Sequence, residues 1–80
     1  NSTASLSVYP NPGQGEFTFS GLQANDNIQI YDVLGKLVYQ TKATGNTQAV
    51  DLTNENKGLY IYTITDAQNH RTASGKFVSN

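Results

Sequence analysis

Closely spaced turn signals between short alternating stretches constrain the fold of this 80-residue chain more than any other feature. In Glu16–Ser20 the side chains of Phe17 and Phe19 fall on one face, which is the two-residue period of a β-strand. Clusters of Gly, Asn and Asp recur about every eight to twelve residues, a spacing typical of β-sandwiches. No stretch carries apolar residues at helical spacing, so we expect almost no helix.

The sequence predicts seven strands and therefore an all-β fold, a seven-stranded immunoglobulin-like antiparallel β-sandwich. Two further pairs of apolar residues, Ile28 with Ile30 and Val50 with Leu52, are expected to point into its core. The predicted strands are residues 5–8, 16–20, 28–31, 36–41, 48–52, 59–65 and 70–78.

Two hairpin turns share one chemical pattern. Asp32-Val33-Leu34-Gly35 has Asp at the first and Gly at the fourth position, the signature of a type I turn. Asp66-Ala67-Gln68-Asn69 repeats it, with Asn available for the left-handed conformation. After the first turn, Leu37 and Tyr39 compete with Val38 for the inner face, and the pattern leaves both registers open.

The order Leu52, Gly58, Tyr60 favours the immunoglobulin-like arrangement, because it resembles a tyrosine corner. In that interpretation the Tyr60 hydroxyl bonds to backbone within Asp51–Lys57. In the alternative, Tyr60 only packs with Tyr62 and Ile64 on one face. The polar stretch Thr53–Lys57 can also hold a single helical turn.

The segment Val8–Gly15 is a stiff strand followed by an abrupt reversal. Pro10 and Pro12 fix φ and remove two backbone donors, and Asn11 is pushed toward extended geometry by the proline that follows it. The two prolines also protect the first edge strand from pairing with other chains. Such a segment gives a partner a rigid edge to recognise and carries no reactive group.

The charge balance excludes some classes of partner. Five Lys and Arg residues stand against six Asp and Glu residues, for a formal net charge of −1. This predicts no basic surface for nucleic acid or anionic lipid. The absence of cysteine excludes disulfides and thiol catalysis, and no apolar run approaches the roughly 20 residues that span a bilayer. Asn1–Ala4 is typical of the end of a linker, so we expect one domain over residues 5–80.

Catalytic, cofactor and metal sites are not expected. His70, the only histidine, falls in a turn without evident partners, and the carboxylates are scattered. The oxygen-rich loops 25–27 and 54–56 lack the spacing of a calcium loop. The five tyrosines could form a sugar-stacking platform, which leaves a carbohydrate-binding or surface-binding accessory domain of a secreted enzyme as the alternative function. A third possible function is that of a purely structural spacer between other domains.

Three blocks of the sequence resemble a known family. Residues 9–15 contain the pattern Pro-x-Pro-x-x-Gly. Residues 30–38 contain an apolar strand, an Asp, a turn, Gly-Lys and a second apolar strand. Gly58–Ile64 is an apolar strand that is followed, after a short turn, by a Lys and apolar residues at 75–78. In this order the chain resembles the C-terminal sorting domain of type IX secretion cargo, type A. The family often ends in Lys or Arg, whereas this chain ends Val78-Ser79-Asn80. If the terminal charge is recognised, either Lys76 serves instead or the sequence is trimmed at its end.

The resemblance implies an immunoglobulin-like sandwich that is the terminal tag of a larger, covalently linked N-terminal cargo. Its implied partners are an outer-membrane translocon, a shuttle protein and a sortase-like cysteine protease at the cell surface, with no nucleic acid and no cofactor. The implied location is secreted or cell-surface, reached through the periplasm and outer membrane. The candidate recognition residues are Pro10, Asn11, Pro12, Gly15, Asp32, Gly35, Lys36, Gly58, Tyr60 and Lys76.

Overall fold

Seven strands make up the regular structure, as the turn spacing predicts. The computed structural model describes residues 6–10 and 13–80. Within these residues there is no helix, and so none long and apolar enough to cross a membrane. The strands are β1 Ser7–Tyr9, β2 Glu16–Ser20, β3 Asn27–Tyr31, β4 Leu37–Lys42, β5 Thr47–Asp51, β6 Gly58–Thr65 and β7 Arg71–Ser79.

The strands form two antiparallel sheets packed face to face. One sheet has the order β1-β2-β5 and the other has the order β4-β3-β6-β7. Each sheet has one apolar face, because side chains alternate across a strand and every second residue is buried. Phe17 and Phe19 of β2 face Ile28 and Ile30 of β3 across the core, which confirms the predicted inward residues. Burying both apolar faces together is what makes the sandwich stable.

Phe77 of β7 joins the two sheets through an aromatic cluster. Its ring centroid lies 4.6 Å from that of Phe17 and 5.9 Å from that of Phe19, both on the opposite sheet. On its own sheet, Tyr60 stacks on Phe77 at 5.9 Å. Truncating a buried aromatic of this kind to alanine typically costs about 3–5 kcal/mol. The last strand is therefore a structural part of the core.

Both Asp-initiated hairpins adopt the predicted turn. In the first, the amide of Gly35 donates to the carbonyl of Asp32 at 3.0 Å, and Gly35 has φ +84°. In the second, Asn69 donates to the carbonyl of Asp66 at 2.9 Å with φ +67°. A type I turn followed by a left-handed residue, which forms a G1 bulge, is a common three-residue hairpin loop.

A β-bulge settles the orientation of β4. Ile30 pairs with Tyr39 but Tyr31 pairs with Leu37, so Val38 is an extra residue. Because the bulge breaks the alternation, Val38 and Tyr39 both pack against the core while Leu37 is exposed. β4 begins at Leu37, one residue later than expected, since Lys36 closes the turn. Residues 53–57 form a turn and no helix.

Candidate recognition site

Different segments of the chain form the two ends of the sandwich. Leu6, which precedes β1, lies with the loop 21–26 and the hairpin Asp66–His70 at one end. The opposite end, here called the distal end, is formed by four segments. They are residues 13–15, the hairpin Asp32–Lys36, the connection 52–58 and the last residues of β7. The antiparallel pairs Glu16 with Asp51 and Gly58 with Ser79 fix these segments at one end.

The described candidate residues come together at or near this distal end. Pro10 follows β1, and Gly15 precedes β2. Asn11 and Pro12 lie outside the described residues. The hairpin supplies Asp32, Gly35 and Lys36, the start of β6 supplies Gly58 and Tyr60, and Lys76 lies three residues before the end of β7. Residues far apart in the chain thus lie at or near one end of the sandwich, where Gly15 and Tyr60 are buried.

The turn after the proline segment hydrogen-bonds to the end of the last strand. The amide of Gly13 donates to the carbonyl of Val78 at 3.0 Å, and the amide of Asn80 donates to the carbonyl of Gly13 at 2.6 Å. A Cβ on Gly13 would lie 2.6 Å from Cε1 of Phe17, so this close approach requires glycine. The proline segment and the last strand were predicted from the sequence as separate recognition features, and the contact between them was not predicted.

Gly15 joins the same turn to the connection between the sheets. Its carbonyl accepts the amide of Leu52 at 2.6 Å, and its φ is +98°. A Cβ on Gly15 would lie 2.9 Å from Cγ2 of Thr53, which the Asp51 carboxylate holds through the Thr53 hydroxyl at 2.6 Å. That hydroxyl bond and the bond from the Thr53 amide lower the pKa of Asp51. The distal end is therefore built by backbone and turn contacts.

A shallow groove of about 330 Å³ lies between the first hairpin and the connection 52–58. Asp32, Lys36, Gly58 and Tyr60 line it. The Asp32 carboxylate accepts the backbone amides of turn residue 34, at 2.9 Å, and of Lys36, at 3.0 Å, so it holds the turn in place. The tip of the hairpin is apolar and exposed: Val33 retains 63% of its accessible surface and Leu34 retains 88%.

Tyr60 forms the predicted tyrosine corner. Its ring is buried, with 4% of its surface exposed, and its hydroxyl donates to the backbone carbonyl of Asn56. Burial raises the pKa of Tyr60, and the negative charges of Glu55 and Asp32 raise it further. Tyr60 is therefore a neutral donor at physiological pH, and it fixes the path of the connection 52–58. Among the candidates, its evident role is structural.

The last strand presents an open edge beside this end. β7 is the final strand of its sheet and the longest edge strand in the described part of the chain. Since the Val78 carbonyl points to Gly13, the alternation of the ladder directs the backbone groups of Lys76 and Ser74 to the same open side. Lys76 pairs in register with Ile61, and its side chain lies on the outer face of the sheet.

Reactive chemistry is sparse in the described residues. His70 is exposed in the second hairpin, with Nδ1 3.7 Å from Oδ2 of Asp66. The backbone amide of His70 is the main reason that the pKa of Asp66 is lowered. Within residues 6–10 and 13–80, no three His, Asp or Glu side chains lie close enough to hold a metal ion.

The tyrosines do not share a face. Tyr60 and Tyr62 point into the core, where Tyr62 meets Phe19 edge-on with ring centroids 5.2 Å apart. Tyr9 pairs with Thr18 on the outer face of the three-stranded sheet, and Tyr31 lies on the outer face of the other sheet. Tyr39 also packs against the core, so the five tyrosines do not form one flat aromatic platform for sugar.

Comparison with known proteins agrees with this architecture. Residues 7–80 match the family described as the secretion system C-terminal sorting domain. The chain is 35% identical over 80 residues to an ulvan lyase of Nonlabens ulvanivorans, covering 96% of this chain and 15% of the lyase. It is 33% identical over 66 residues to an endo-acting ulvan lyase of Formosa agariphila, covering 80% of this chain and 13% of that enzyme.

A solved structure shares the fold. PorZ, a bacterial surface component of the type IX secretion system of Porphyromonas gingivalis, matches with a TM-score of 0.76 and 25% identity. The match covers 95% of this chain and 11% of PorZ. The chain thus spans only a small part of each of these relatives. It belongs to the C-terminal sorting domain family of the type IX secretion system, whose members direct secreted proteins across the outer membrane.

Proposed function

We propose that residues 5–80 are the sorting tag of a larger cargo attached upstream, that residues 1–4 end the linker, and that the tag takes no catalytic part. Its partners are the outer-membrane translocon, a shuttle protein and a sortase-like cysteine protease that cuts upstream of the tag. The convergence of the candidate residues at the distal end, opposite Leu6, carries this proposal. With the upstream chain entering beside Leu6, a receptor reaches the distal end unobstructed.

Recognition uses two neighbouring features of the distal end. The first is the turn that contains Gly13 and Gly15, which backbone contacts hold to the end of β7 and to the start of the connection 52–58, together with Pro10 at the end of β1. The second is the β7 edge, on which a receptor strand can add through main-chain hydrogen bonds. Since Gly13 already occupies the position beside Val78, the added strand pairs only with the part of β7 before it.

A fusion experiment tests the sorting function. The 80-residue chain is joined to a fluorescent protein that carries a periplasmic signal peptide, in a host with the type IX machinery. We expect fluorescence in the medium or on the cell surface, and periplasmic fluorescence in a host without the translocon. Retention in the periplasm of both hosts would contradict the proposal.

Deleting residues 76–80 is a poor test of the edge, because it also removes Phe77 from the core. Ser74→Pro removes one outward amide from the β7 edge and leaves the hydrogen bonds to β6 in place, which an edge strand tolerates. We expect Ser74→Pro to reduce export at least tenfold, with Ser74→Ala exported normally. Thermal unfolding establishes that both variants are folded. Normal export of folded Ser74→Pro would exclude strand addition at this position.

A further inference from the structure

Three cationic side chains that are far apart in the sequence lie on the outer face of the four-stranded sheet. The register puts Lys42 of β4 and Arg71 of β7 at opposite edges of one cross-strand row, which also contains Asn27 and Thr65. Lys76 lies farther along β7. Strand spacing places Lys42 roughly 14 Å from Arg71. Lys76 lies roughly 13 Å from Arg71, since their partners Ile61 and Thr65 are four residues apart on β6. Three of the five Lys and Arg residues thus lie on one face.

No carboxylate balances these charges on the same face. The outward positions of β3, β4, β6 and β7 contain neither Asp nor Glu. On the outer face of the other sheet, Glu16 pairs with Asp51, and that face has no Lys or Arg in its described strands. Salt bridges do not neutralise the cations either, since none joins a Lys or Arg to a carboxylate within residues 6–10 and 13–80. A chain of net charge −1 therefore has one positive and one negative face.

The positive face also carries most of the exposed apolar surface. Tyr31 pairs with both Leu37 and Ile61, and Leu59 pairs with Val78, so these side chains form adjoining rows near the distal end. The hairpin tip continues these rows beyond the sheet. Of the large apolar residues exposed in the described structure, all except Tyr9 belong to this region: Val33, Leu34, Leu37, Leu59, Ile61 and Val78.

We propose that the outer face of the four-stranded sheet docks on an anionic lipid surface, with the distal apolar side chains in the interface and Lys42, Arg71 and Lys76 against the headgroups. Apolar area and cations on one face, with no Asp or Glu at the outward strand positions, is a combination that binds interfaces of this kind. The negative face of Glu16 and Asp51 then points away from the lipid. Export across the outer membrane brings the domain to a lipid surface, and the proposal does not require the receptor contacts of the sorting function.

Vesicle binding tests the proposal on the 80-residue chain. The probes are vesicles of phosphatidylcholine alone and of phosphatidylcholine with about one third phosphatidylglycerol, compared by co-sedimentation at about 0.1 M salt. A Lys or Arg near such a surface strengthens binding by about fivefold. We expect binding to the anionic vesicles that weakens at high salt, and a roughly 25-fold loss in Arg71→Gln/Lys76→Gln.

A variant with relocated charges distinguishes the effect of the face on which the cations lie from the effect of the net charge of the chain. Thr47→Lys/Ala49→Lys, added to the double variant, restores the net charge but puts the cations on the outer face of the three-stranded sheet, where both positions are exposed. We expect this variant to bind as weakly as Arg71→Gln/Lys76→Gln. Melting temperatures within a few degrees of the parent chain establish that both variants are folded.

Three outcomes would overturn the proposal. One is equal binding to neutral and anionic vesicles, and another is full recovery of binding in the relocation variant. The third is binding to soluble polyglutamate without binding to vesicles, which would assign the face to an acidic protein partner. Loss of vesicle binding with unchanged export of the fluorescent fusion would remove the lipid contact from the sorting step and leave the sorting function intact.

Discussion

Removing one hydroxyl group tests how far the tyrosine corner holds the distal end together. In Tyr60→Phe the ring keeps its place against Phe77, and only the bond to the Asn56 carbonyl is lost. A net hydrogen bond of this kind contributes about 1 kcal/mol. Because Asn56 is exposed, water can bind its carbonyl in the variant, and the larger penalty for a buried unpaired group does not apply.

The expected loss is therefore about 1 kcal/mol in the free energy of unfolding, or about 4–8 °C in melting temperature for a domain of this size. Urea unfolding followed by tyrosine fluorescence and thermal unfolding followed by circular dichroism measure it. Tyr62→Phe is the matched control, because its ring also lies in the aromatic cluster while its hydroxyl bonds to no described residue. We expect the control to change stability by less than about 0.5 kcal/mol.

The same bond predicts a dependence on alkaline pH. The pKa of Tyr60 is raised in the folded chain, so its contribution is complete below the unfolded value of about 10 and is lost as pH rises above it. The pKa of Tyr62 is raised by burial as well and is common to the parent and Tyr60→Phe. The stability difference between these two chains should therefore shrink at high pH. Equal destabilisation by Tyr60→Phe and Tyr62→Phe at neutral pH would refute the assigned role of the corner.

Three further predictions concern the turns and one strand. Gly35→Val forces a β-branched residue to φ +84° and should cost about 1–2 kcal/mol, whereas Gly45→Val, in open space, should cost much less; equal urea midpoints would contradict this. In Gly75→Ala the new Cβ would lie 2.8 Å from Cζ of Tyr62, so we expect the free energy of unfolding to fall by about 1–3 kcal/mol, measured by thermal unfolding. An unchanged melting temperature would mean that the Tyr62 ring moves aside without cost. The pKa of Asp66 is lowered by the turn amides, so its contribution to folding stability is present above about pH 4 and is lost on acidification. The melting temperature of Asp66→Asn should therefore fall less steeply than that of the parent chain between about pH 5 and pH 2. Parallel curves would exclude this role.

Local patterns were enough to predict the strands, the inward residues and both hairpins. The alternation around Phe17 and Phe19 predicts a half-buried strand, and an Asp followed three residues later by Gly or Asn favours a tight turn. These signals act over a few residues, so they can be seen before the chain is folded. The tyrosine corner was open to two interpretations, since the sequence cannot show whether a hydroxyl reaches a carbonyl four residues away.

Other features exist only after the strands have paired. The bulge at Val38 decided the orientation of β4, which alternation alone left open. The contact between Gly13 and the end of β7 joins residues more than sixty positions apart. The placement of Lys42, Arg71 and Lys76 on one face depends on the order β4-β3-β6-β7. The prediction of no basic surface for nucleic acid or anionic lipid came from a sum over residues, which contains no positions, and the vesicle experiment tests it. The amino-acid order determined the strands and turns, whereas sheet order and register determined which distant residues became neighbours, because pairing energies depend on the whole fold.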